Sequence, residues 1–125
     1  MTMKCIYAIP PDASEAAKKL AKRYTQALSK LSDDVIALGD DLRAFAEMHG
    51  AAVLKLDDDD WASATEGLTQ PGDRDLAGEL FWSPADAQRF QHALDGSADL
   101  AARRTVSAWL GTQAGRERSV LLVAT

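Results

Sequence analysis

An α+β fold in a single domain is what this chain predicts, and three observations carry the prediction. Short apolar runs open and close the sequence, Met3–Ile9 and Ser119–Ala124. Between them lie long segments with apolar residues at three- and four-residue spacing, the helical period. Pro, Gly, Ser and Asp stand at the joins, where caps and turns need them. At 125 residues, 46% of them hydrophobic and 26% charged, the chain can build one core and has no room for a second.

Residues 3–9 read as a strand, stopped by Pro10 and Pro11. Cys5 lies inside it and reads as a buried small hydrophobe; as the one cysteine it excludes an internal disulfide. Asp12 then suits a helix N-cap, with Glu15 three residues on completing an acidic capping box. Along residues 12–49 an apolar position recurs in four-three alternation: Ala17, Ala21, Tyr24, Leu28, Leu31, Val35, Leu38, Leu42, Phe45, then His49. That is a heptad strip. As one unbroken helix it would measure roughly 55 Å, longer than a domain of this size is wide, so it must bend back or meet a partner. Ser32 with Asp33 and Asp34 makes a good N-cap, and Gly39 costs about 1 kcal/mol inside a helix. A helix hairpin turning near Ser32 therefore stands beside the single long helix. A strand at residues 35–38 is the third option and ranks below both, because the heptad register crosses it without a slip. Gly50 closes the segment as a C′ residue.

Residues 51–56 form the second strand candidate. Asp57, Asp58, Asp59 and Asp60 follow, and cap a short helix over residues 60–67. They do not make a calcium loop, since Trp61 occupies the third alternate position where an oxygen ligand would be needed. Trp61 is expected to pack over the core. Residues 69–76, with Gln-Pro-Gly-Asp-Arg-Asp, read as a loop, and residues 77–82 as a third strand. Ser83, Pro84 and Asp86 start a capped helix whose buried stripe is Ala87, Phe90 and Leu94, stopped by Asp95-Gly96. A further helix over residues 98–110 carries Leu100, Val106, Trp109 and Leu110 and ends at Gly111. The loop at residues 111–118 resembles a phosphate cradle only superficially. It lacks the lysine and hydroxyl of a P-loop and leads into a strand. That last strand is almost continuously apolar, hence central or covered on both faces.

In order these elements give β-α-β-β-α-β, with an extended first helix or helix hairpin and an extra helix before the last strand. This matches a ferredoxin-like sandwich: an antiparallel four-stranded sheet, the terminal strands adjacent at its centre and the helices on one face. Ile9-Pro-Pro-Asp-Ala-Ser and Trp82-Ser-Pro-Ala-Asp-Ala form an internal echo, each leading a strand straight into a capped helix.

For function, a net charge of -5 and a pI near 4.9 argue against direct nucleic-acid binding, which needs a basic surface. No apolar run reaches the roughly 20 residues of a membrane span and no signal-peptide pattern opens the chain, so a reducing, cytoplasmic setting is expected. The charges are segregated, with +4 over residues 1–31 and -7 over residues 32–60. Two histidines, His49 and His92, and one cysteine offer no zinc spacing, and there is no nucleophile elbow or dinucleotide fingerprint. No catalytic residue, metal or cofactor is assigned, and a non-enzymatic role is favoured over an enzymatic one.

Two hypotheses follow. The first is an inhibitor, immunity or adaptor type of interaction module, offering Asp33, Asp34, Asp40, Asp41 and Asp57 to Asp60 to a basic partner surface, in its sharpest form as a nucleic-acid mimic. The second is a small-molecule-binding domain or enzyme like the dimeric ferredoxin-like barrels, with Tyr7, Trp82, His92 and Trp109 around a pocket between sheet and helices. A homodimer is expected under both.

Overall fold

A computed structural model describes residues 3–31, 33, 35–66, 79–96, 101–114 and 118–124. Strand β1 (Met3–Ile9) leads through a 3-10 turn at Pro11–Ala13 into α1 (Ser14–Ser29), then α2 (Val35–Met48) and β2 (Ala52–Asp57). Helix α3 (Asp58–Thr65) precedes β3 (Phe81–Trp82), α4 (Pro84–Asp95), α5 (Ala101–Ala114) and β4 (Ser119–Ala124). The sheet order is β2-β1-β4-β3 and every neighbouring pair is antiparallel.

This order explains why helices come in pairs. An antiparallel neighbour must start at the end where its partner stopped, as Ala52 does opposite Ala8. A single helix would deliver the chain to the far end of the sheet, whereas two antiparallel helices return it. The same holds for β3, the α4 and α5 pair and β4, so the chain is two β-α-α-β halves joined through α3. The terminal strands meet at the centre, as expected.

The helices, however, cover both faces of the sheet, and the one-sided sandwich gives way to three layers. Side chains of β1 alternate between two clusters. Ile6 joins Leu56, Trp82, Val120 and Leu122 against Trp61, Phe90, Leu94, Val106 and Leu110 from α3, α4 and α5. Cys5, Tyr7 and Ile9 join Leu121 and Val123 against Ala17, Ala21, Leu42 and Ala46 from α1 and α2. A strand buried on both sides has to be apolar at odd and even positions alike. Hence the unbroken apolar runs of β1 and β4.

Helices α1 and α2 pack as the hairpin, and 35–38 are helical, not extended. Helix α1 stops at Ser29, the Lys30 N–H donates to the Gln26 carbonyl at 3.2 Å, and Leu31 adopts φ 51°. The heptad strip thus folds on itself: Ala17, Ala21 and Leu42 are buried, while Leu31 at the tip is 90% exposed. Once the strip is folded, its length no longer demands a second chain. Gly50 takes the expected C′ place with φ 66°.

Other boundaries moved. Asp12 lies in the 3-10 turn, and Ala13 occupies the N-cap of α1 without a side-chain bond, because the two prolines impose a turn closed by Ala13 N–H on the Pro10 carbonyl. The α3 cap is Asp57, whose carboxylate accepts from the Asp60 N–H at 2.7 Å, so that helix starts at 58 and not 60. Of the strand expected at 77–82, only Phe81–Trp82 is assigned, with residues 77 and 78 and the loop at 69–76 outside the described residues. Helix α5 runs through Gly111 instead of ending there. A Cβ at Gly111 would sit 2.8 Å from Gln91 Nε2, the far end of a flexible side chain that can swing aside, so the helix carries Gly111 at the ordinary cost of a glycine in its interior. Buried Arg103 ties α5 to the end of α3, donating to the carbonyls of Ala64, at 2.9 Å, and Glu66.

A left-handed backbone at a non-glycine residue costs about 1–2 kcal/mol. Because the Leu31 side chain has little packing to lose, Leu31→Gly should raise stability by about 0.5–1 kcal/mol after the added unfolded-state entropy is counted. A thermal melt should show a midpoint higher by about 2–4 °C; a lower midpoint would contradict the strained hairpin tip.

Candidate functional site

Strand β1 begins at the end of the sheet where β2 finishes, Met3 opposite Asp57. Helix α1 runs back to that same end before α2 returns, which brings the hairpin tip and the start of α3 to one pole. Asp33, Asp40, Asp41, Asp58, Asp59 and Asp60 are all exposed, and Asp57 is half-buried. Asp34 lies outside the described residues. Asp33 at the hairpin tip and Asp57 to Asp60 at the start of α3 therefore lie toward the same end of the sheet, on its opposite faces, while Asp40 and Asp41 lie midway along α2.

Part of this charge has a local structural use. Asp57 caps α3, and Asp58, Asp59 and Asp60 occupy its first turn, where carboxylates at the positive end of the helix dipole gain about 0.3–1 kcal/mol each. Asp40 pairs with Arg43 one turn along α2. Asp33 and Asp41 have no such explanation. Among the described residues no group of three or more acidic, histidine or cysteine side chains could hold a metal ion.

The residues expected around a pocket are not brought together. Tyr7 and Trp82 are buried in clusters on opposite faces of the sheet. Trp82 tilts against Phe90, which also stacks with Trp61. Trp109 is half-buried at the margin of the α4 and α5 cluster, and His92 is exposed. His49 is exposed beside the Phe45 ring, with centroids 4.5 Å apart. Cys5 is buried and free.

A groove of about 690 Å³ opens elsewhere, along the outer edge of β3. Lys18, Lys22, Thr25 and Leu28 of α1 form one wall. Glu79, Leu80 and Phe81 form its floor, and Ser83 and Asp86 at the start of α4 close one end. Asp86 is engaged by Arg89 at 3.5 Å, and its N–H donates to Ser83 Oγ at 3.2 Å. None of these residues stands out in the sequence as a binding group. The lysines read as the solvated face of a helix, and the groove lies beside β3, the outermost strand on that side among the described residues, a placement set by strand order.

No protein-family model matches the chain, and no curated protein or solved structure matches it significantly. No helix among the described residues is long and apolar enough to cross a membrane.

Tyr7 is the group whose ionisation this environment disturbs most clearly. Burial pushes its phenol above 10.0, the charges of Cys5 and Glu47 and a hydrogen bond to Cys5 push the same way, and Arg43 opposes them. The folded protein then holds this proton at a pH where the unfolded chain has released it, so stability is intact below about pH 10 and falls as pH rises beyond it. Urea titrations from pH 9 to 11 should show this loss in the wild type and a shallower one in Tyr7→Phe. Equal slopes would contradict a buried, neutral phenol.

Proposed function

We propose that this chain is a non-enzymatic interaction module that presents the acidic pole to a basic partner surface. The observation that supports the reading best is the exposure of Asp33, Asp40, Asp41, Asp58, Asp59 and Asp60, with Asp33 and the α3 aspartates toward the same end of the sheet. Exposed carboxylates at one pole produce a directional negative field. Such a field accelerates encounter with a cationic surface and fixes its orientation more than it adds affinity. Carboxylates in place of phosphates, a nucleic-acid mimic, is the sharpest form of this proposal.

The aspartates of α2 and the hairpin tip are the ones to test, since those of α3 also stabilise their helix. The full chain and its Asp33→Asn, Asp34→Asn, Asp40→Asn, Asp41→Asn variant, immobilised separately, should differ in the proteins they retain from a lysate of the source cells. The wild type should hold a basic protein that leaves as salt rises, and the variant should release it at lower salt. Equal retention and an unchanged salt dependence would remove the proposal.

A further inference from the structure

Helices α1 and α2 lie side by side in one layer, and their outer faces carry opposite charge. On α1, Lys18, Lys19, Lys22 and Arg23 are exposed, against Glu15 alone. On α2, Asp40, Asp41 and Glu47 are exposed, against Arg43, which is half-buried and held by Asp40. Among the described residues no ion pair engages the four α1 cations, Asp41 or Glu47. The layer is a positive stripe beside a negative one.

Helix α2 is also apolar on the side away from the sheet. Leu38, Leu42 and Ala46 are buried, yet Ile36, Ala44 and Met48 recur with Asp40 at every fourth position along the outer face. Ile36 is 80% exposed and Met48 75%. A helix apolar on both sides gains by being covered on both. Apolar residues set among carboxylates are matched by a row of Lys and Arg, whose aliphatic stems lie over the former while their charged ends reach the latter. The outer face of α1 is such a row.

The levels of the charges also agree. Tyr24 comes 3.5 Å from the position that a Cβ on Gly39 would take, so in this antiparallel pair Arg23 stands level with Asp40, Lys22 with Asp41 and Lys19 with Ala44. A two-fold axis parallel to the helices keeps each residue at its level and lays α1 of each chain on α2 of the other. Each hairpin offers a face about 21–24 Å long and about 20 Å wide, at the small end for a specific interface.

We infer that the basic surface matching the α2 aspartates is α1 of a second copy of this chain, two hairpins stacking face to face with each α1 on the other's α2. The pairing takes those aspartates as a contact surface, as proposed above, and names what meets them. Arg23 and Lys22 reach Asp40 and Asp41 of the second copy, and the Lys19 stem crosses its Ala44.

Sedimentation of the full chain and of two charge-reversed variants tests this. At hundreds of micromolar the wild type should exceed its 13.4 kDa monomer mass, and about 0.5 M salt should weaken the dimer about tenfold. The Lys19→Glu, Lys22→Glu, Arg23→Glu variant should be monomeric, and so should the Asp40→Lys, Asp41→Lys, Glu47→Lys variant. Mixed in equal amounts, the two should dimerise, because each α1 then meets an α2 of opposite sign. A monomeric wild type, a dimer indifferent to either reversal, or a mixture that stays monomeric would overturn the inference. A foreign basic protein retained by a monomeric wild type would leave the acidic-surface reading standing while this pairing falls, so the two fail separately.

Discussion

The pairing of β1 with β4 holds the molecule together. Six residue pairs, from Lys4 opposite Ala124 to Ile9 opposite Ser119, join the first strand to the last. Each half consists of one central strand, one edge strand and the two helices between them. A half alone would leave a face of its central strand bare, since α1 and α2 cover one side of the sheet and α3 to α5 the other. Burying Ile6 requires helices from the second half, and burying Leu121 requires helices from the first. Such mutual dependence couples the two halves, and strands so far apart in sequence that must find each other put loop closure early among the entropic costs.

What was legible in the sequence was whatever short-range chemistry dictates. Met3–Ile9 and Ser119–Ala124 were readable as strands because burial on both faces demands unbroken apolar runs. Ser83, Pro84 and Asp86 mark the start of α4 because a cap is a contact between residues three apart. Strand order is set by contacts between residues far apart, and no local pattern encodes which face a helix pair will cover. The heptad strip is a buried stripe at Ala17, Ala21, Leu38 and Leu42 but exposed at Leu28, Leu31 and His49, and its spacing is the same for a long helix and for a hairpin. The turn is made by Leu31 in a conformation that its residue type disfavours. Gly111 resembles a helix stop, yet α5 runs through it to Ala114.

The functional features follow the same division. The aspartates were visible as charge, and Asp57 to Asp60 reach the end of the sheet nearest the hairpin tip because β2 ends where β1 begins. The expected pocket of Tyr7, Trp82, His92 and Trp109 failed to assemble because residue type says nothing about face: Tyr7 and Trp82 sit on opposite sides of the sheet. The two edges also differ. The ladder parity fixed by the Leu122 N–H bond to the Leu80 carbonyl turns Val53 and Lys55 outward on β2, where exposed Lys55 is the kind of charge that discourages strand addition. The groove beside β3 carries Lys18 and Lys22 on its helix wall and Glu79 and Asp86 on the other side.

Native-state hydrogen exchange of the full chain tests the central pairing most directly. The amides of Cys5, Tyr7, Leu121 and Val123, which bond β1 to β4, should be among the slowest and should exchange together, at the free energy of global unfolding. Those of Val53 and Lys55, turned outward on β2, should exchange far faster. If the β1 and β4 amides instead opened at a lower free energy than the interior of α4, around Phe90, the two halves would be separable and the account of a chain locked through its first and last strands would be wrong.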